Sequence, residues 1–213
     1  MFARLLAIVC LIVGPRIGWS EPVGPAPRKV VVYLSGSGPM ETGQTHAFRQ
    51  ELQRLMASAN YVAELTTSVQ EVEASHLVVL KLDGACDTSA PPADIPAGAN
   101  PNLATSAVVD GHVLPFTTVH CGVLSRMLAA ANHGSIPSQL YGRSLGRIVA
   151  HELYHILADE VGHQDTGVSK ACFRLSDLLD DKFAFQAAAV RKLRPAPTYV
   201  SQVAAQSAHR NAN

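Results

Sequence analysis

Charge imbalance, aromatic rings and long apolar runs are all scarce in this chain. Lysine plus arginine and aspartate plus glutamate number 17 each, and aromatics are 6% of 213 residues. An even charge leaves no reason to expect nucleic acid or an anionic membrane as a partner. Beyond residue 20 no stretch is long and apolar enough to span a bilayer, so the mature form is not expected to enter a membrane. Phosphate loops are missing too. Gly36-Ser37-Gly38-Pro39 follows a strand-like run, but it lacks the Lys-Ser/Thr of a P-loop and the third glycine of a dinucleotide site.

Cysteine is sparse: Cys10, Cys86, Cys121 and Cys172. Residues 1–20 read as a secretory signal, with Arg4, an apolar run from Leu5 to Val13, and Gly18-Trp19-Ser20 before a cut ahead of Glu21. The protein is therefore expected to be exported, periplasmic or secreted, where disulfides persist. Cys86 and Cys121 each end a strand-like segment and are the expected bridge. Cys172, left over, reads as a small buried thiol. Without Arg4 and Arg16 the remainder carries a net charge near −2.

What is there suffices for one domain with a core, and a monomer is expected. Residues 21–28 read as a Pro/Gly-rich linker, 29–194 as the catalytic domain and 195–213 as a loosely ordered tail. Strands are expected at 29–35, 61–66, 76–82, 106–109 and 112–120, with a hairpin turn at Asp110-Gly111. Pro115 inside the last of these predicts an edge strand. Residues 87–104 read as a long loop. Helical spacing marks 45–59, 122–132 and 176–194.

The chemistry concentrates in one segment. His151, Glu152 and His155 form the H-E-x-x-H pattern. On a helix, residues four apart lie on one face about 6 Å from each other, so both imidazoles can hold one metal ion. Glu152, about 100° round the helix, can reach a water at that metal. Leu145, Val149, Leu153, Ile156 and Leu157 form an apolar stripe on the opposite side. His163 is the expected third ligand, brought back by a turn at Gly162 after a helix ending near Glu160. Asp159, Asp177, Asp180 and Asp181 are the carboxylate alternatives. His112 and His120 read as surface residues.

The stretch from Gly142 to Phe173, with G-R-x-x-A-H-E-L-Y-H-x-L-A, His163 and Gly167-Val168-Ser169-Lys170, resembles uncharacterised secreted bacterial proteins read as zincin, metzincin-like metallopeptidases. The resemblance implies an α+β, zincin-like fold: a twisted mixed sheet packed with an early helix, the H-E-x-x-H helix and a C-terminal helix. It also implies Zn²⁺ as cofactor, a peptide or protein substrate, and Glu152 as general base. Metzincins carry a methionine turn downstream of the motif, and the methionines here (Met1, Met40, Met56 and Met127) all precede it. Zincins hold an extended peptide against the strand edging the cleft, a role expected here of Val113, Leu114, Phe116 and Thr117.

Two other readings remain open at this stage. One is a non-catalytic secreted zinc-binding module. The other is a serine hydrolase, because Gly142-Arg143-Ser144-Leu145-Gly146 matches the G-x-S-x-G elbow, with Asp159 and His163 following in order. That elbow needs a strand before it, and the preceding residues read as loop. Ser144 is instead expected to cap the active helix.

Overall fold

Val30, Val31 and Val32 belong to a β-branched run that becomes the interior strand β1 (Arg28–Gly36). The computed structural model describes residues 25–36, 40–68, 76–89, 101–131 and 134–194. The signal expected at 1–20 and the tail expected at 195–213 lie outside them. In chain order there follow α1 (Thr42–Ala57), β2 (Tyr61–Thr66), β3 (His76–Asp83), β4 (Ala104–Val109), β5 (His112–His120), α2 (Cys121–Ala131), α3 (Ser138–Ala158), α4 (Leu175–Leu179) and α5 (Ala187–Leu193). The fold is mixed α+β, with one five-stranded sheet in the order β2-β1-β3-β5-β4. All neighbours run parallel except β4, which is antiparallel to β5.

One face of the sheet carries the core. Val30, Val32, Val78, Leu80 and Val119 are fully buried against Phe48 and Leu52 of α1 and Leu145, Val149 and Leu153 of α3. Each such side chain contributes roughly 1.5–3 kcal/mol by leaving water. The two long helices approach closely because α3 has no side chain where α1 crosses it. A Cβ at Gly142 would lie 2.2 Å from the Gln44 carbonyl oxygen, and one at Gly146 would lie 3.0 Å from that of Phe48. These glycines therefore serve packing, and the G-x-S-x-G match falls inside a helix rather than on an elbow. Ser144 is fully buried, and its hydroxyl has no partner among the described residues.

A buried charge cluster fastens the same helices to the chain around Asp177 and Phe183. Arg147, 1% exposed, donates Nε to Glu51 Oε1 at 2.7 Å and Nη1 to the Asp177 carbonyl at 2.7 Å. Arg54 takes the other Glu51 oxygen at 2.7 Å and reaches the Phe183 carbonyl at 2.8 Å. Burial works to raise the Glu51 pKa, but the hydrogen bonds from Arg54 and Arg147 outweigh it and hold the carboxyl below its usual range.

Four expectations need correction. β5 is not an edge strand, since it pairs with β3 from Val79↔Phe116 onward and with β4 on its other side. Pro115 is tolerated because it precedes the β3 pairing and lies opposite the irregularity between Ser106 and Val108, where no ladder bond is needed. Among the described residues the edge strands are β2 and β4. α3 begins at Ser138 after Pro137, so Ser144 is no cap. The helix expected at 176–194 is two short helices. Between them Asp180 Oδ1 accepts the Lys182 N–H at 2.9 Å, and Phe183 and Phe185 turn inward, 5% and 7% exposed. Finally, Cys172 is exposed rather than buried.

Cys86 and Cys121 are joined, as expected. Among the described residues no helix is long and apolar enough to cross a membrane.

Candidate metal centre

α3 ends where Asp159 turns left-handed, at φ 46° and ψ 50°. Asp159, not Gly162, therefore reverses the chain; a short polar side chain tolerates this conformation best after glycine. The Asp159 carboxylate is then used on the hairpin. Oδ1 accepts the Val113 N–H at 2.8 Å and Oδ2 faces His112 Nδ1 at 2.7 Å. That pair of contacts removes Asp159 from the ligand candidates and draws the start of β5 to the end of the helix. The other carboxylates are likewise engaged elsewhere: Asp177 with Lys170, Asp180 with the Lys182 N–H and Asp181 with Arg143.

After this turn His163 comes back to the helix. His151, His155 and His163 each offer a nitrogen, and those nitrogens lie within 4.8 Å of one another. The His163 ring stacks on His151 at 5.3 Å and meets His155 edge-on at 4.7 Å. Two of the rings are oriented by carbonyls. His151 Nδ1 donates to the Val168 carbonyl at 2.7 Å, and His155 Nδ1 donates to that of Glu160 at 2.5 Å. Val168 belongs to a buried turn after Gly167, whose φ is 73° and where a Cβ would meet the Ala184 carbonyl at 2.5 Å. Phe173 closes the same side, edge-on to His151 at 5.2 Å.

With Nδ1–H committed to carbonyls, both Nε2 atoms carry lone pairs, and they face each other at 3.0 Å. Burial, then the neighbouring His155, pushes the His151 pKa down to about 3, so the His151 ring is neutral near pH 7. Burial and His155 also lower the His163 pKa. A cation that accepts nitrogen donors satisfies all three rings. Oriented neutral imidazoles fit a first-row divalent metal, zinc among them.

Glu152, 5% exposed, lies beside the cluster. Its Oε2 accepts hydrogen bonds from Ser106 Oγ of β4 at 2.6 Å and from Thr117 Oγ1 of β5 at 3.3 Å. Its Oε1 is 4.0 Å from His151 Nε2. Burial raises the Glu152 pKa, and these hydroxyls offset part of the rise.

No family model, curated protein or solved structure matches this chain. Its chemistry is therefore read from the geometry.

Of the four residues expected to hold a substrate, Val113 lines the cleft beside the histidines, and Thr117 binds Glu152. Leu114 and Phe116 alternate to the opposite face, where Phe116 is half exposed beside Val79 and Lys81. Ser106 was not anticipated as a site residue, nor were the Val168 and Glu160 carbonyls. Alternation along Ala104, Ser106 and Val108 is the one sequence signal that places Ser106 on the cleft face. Backbone acceptors leave no such trace. His112 and His120 are at the surface, His120 paired with Asp83 at 3.3 Å.

Proposed function

We propose that the protein is an exported zinc-dependent peptidase with a zincin-like arrangement of helix and sheet. The observation that carries this reading is the convergence of two carbonyl-oriented imidazoles and His163 beside a buried glutamate. His151, His155 and His163 would hold Zn²⁺. When bound, the ion supplies Lewis acidity, polarising a carbonyl and making a nearby water more acidic.

The chain's own residues divide the remaining work. Ser106 and Thr117 occupy one oxygen of Glu152, which leaves Oε1 toward the histidines as the proton acceptor. That oxygen takes a proton from water and returns it to the departing amine. The edge strand bordering the cleft among the described residues is β4, whose Ala104, Ser106 and Val108 line it. An extended peptide pairs with that edge, rather than with β5, by main-chain hydrogen bonds.

The test is bound-metal stoichiometry on the purified protein, followed by a peptide-library digest. One zinc per chain is expected, weakened in His163→Ala. Glu152→Gln should retain zinc and lose roughly 100-fold or more in hydrolysis. No zinc after reconstitution would overturn the reading. Zinc without cleavage of any peptide would leave a zinc-binding module.

A further inference from the structure

A cavity of about 230 Å³ adjoins His151, between the start of β4, helix α3 and residues 170–173. Leu103, Ile148 and Phe173 give it apolar walls, each less than a tenth exposed. Among the described residues Lys170 is the one lysine or arginine that lines it, and the Glu152 carboxylate, held by Ser106 and Thr117, lies on the wall beside His151. The lysine is largely buried, and its Nζ lies 2.6 Å from Asp177 Oδ2. That carboxylate oxygen is shared, because it also accepts the Arg174 N–H at 2.6 Å. An ammonium has three N–H donors, and the Asp177 contact takes one of them, leaving two for a group in the cavity.

From this we infer that the cavity is a carboxylate subsite, in which Lys170 binds an acidic group of a peptide lying across the histidine cluster. The inference rests on reading that cluster as the centre of a peptidase. A glutamate side chain suits the walls: its methylenes pack on Ile148 and Phe173 while its carboxylate meets the ammonium. A chain-terminal carboxylate offers the same charge. A substrate lysine or arginine meets a like charge there, and a leucine leaves the lysine donors facing hydrocarbon.

Titration calorimetry on the purified protein tests this, first without added metal and then with one equivalent of zinc. The probes are a blocked tripeptide with central glutamate, its glutamine isostere, and the glutamine peptide with a free C-terminal carboxylate. One of the two carboxylate peptides should bind at least about 10-fold more tightly than the blocked glutamine peptide, the gain expected of a charge-assisted hydrogen bond. Which one does so identifies the source of the carboxylate. The preference should disappear in Lys170→Met and persist in Lys170→Arg. The double variant Lys170→Met/Asp177→Asn repeats the measurement without leaving an unpaired carboxylate, should the single variant fail to fold. Equal binding of the three peptides, no binding at all, or a preference that survives loss of the lysine would overturn the subsite. A digest by the zinc-loaded protein separates the two ideas. Cleavage indifferent to carboxylates removes the subsite alone, and carboxylate preference without cleavage removes the peptidase alone.

Discussion

Ser106 donates its hydroxyl to Glu152 across 2.6 Å, from the edge strand of the sheet to the helix that carries the histidines. Thr117 supports the same oxygen from β5. Two strands thus set the carboxylate of a third element. Ser106→Ala should lower kcat about 10-fold, the worth of one hydrogen bond to a charged group, with zinc affinity unchanged. Ser106→Thr should restore most of it. Activity equal to wild type in the alanine variant would show that the hydroxyl does not position Glu152.

Arg147 should be costly to remove, because it is fully buried and pairs with a buried carboxylate. Arg147→Met leaves Glu51 buried with one partner fewer and frees the Asp177 carbonyl. Breaking a buried pair from one side costs about 3–5 kcal/mol, to be read from urea denaturation. Adding Glu51→Gln should recover part of the loss, because the unpaired charge is then gone. A loss below about 1 kcal/mol in the single variant would mean that water reaches the cluster.

Acid should destabilise the metal-free protein in two stages. The folded pKa of His151 is about 3 against an ordinary 6.5, so between those values the unfolded chain binds a proton that the folded chain refuses. Stability therefore falls as pH drops below about 6.5, and His151→Gln should flatten that part of the profile. Glu51 acts lower down. Its folded pKa lies below the ordinary 4.5, so its contribution is complete above that value and is lost as pH falls through the folded one. Glu51→Gln should flatten only this second stage. Denaturant midpoints measured across the range check both.

Cys172 is exposed and unbridged, whereas Cys86 and Cys121 are joined. Iodoacetamide should label Cys172 in the native, unreduced protein, as mass spectrometry of its peptides would show. The other two should react only after reduction. Protection of Cys172 would contradict its exposure.

Much of the fold was legible because the patterns are local. The β-branched run at Val30–Val32, the alternation at His76–Leu82 and the Asp110-Gly111 turn each dictate structure within a few residues. Both turn residues take positive φ, 52° and 82°, as a tight hairpin demands. The histidine trio followed from helical spacing and one chain reversal. What escaped depends on distant partners. Counting back from the hairpin turn pairs Ser106 with Pro115, yet it pairs with Thr117, two residues on, because the strands slip between Ser106 and Val108. Helical composition at 176–194 gave no warning that Phe183 and Phe185 would be drawn into the core. The start of α3 lies earlier than a cap at Ser144 implies, because the chain up to Gly142 reads as loop until α1 is seen lying on that glycine.

The Cys86–Cys121 bond closes a loop that contains the whole β4–β5 hairpin, and with it both hydroxyls that hold Glu152. None of the three histidines is inside that loop, nor are the carbonyls that orient them. The two halves of the site are thus held by different parts of the chain. Reduction of the bond should loosen the two hydroxyls from Glu152 and leave the three histidines, on α3 and the turn behind it, where they are.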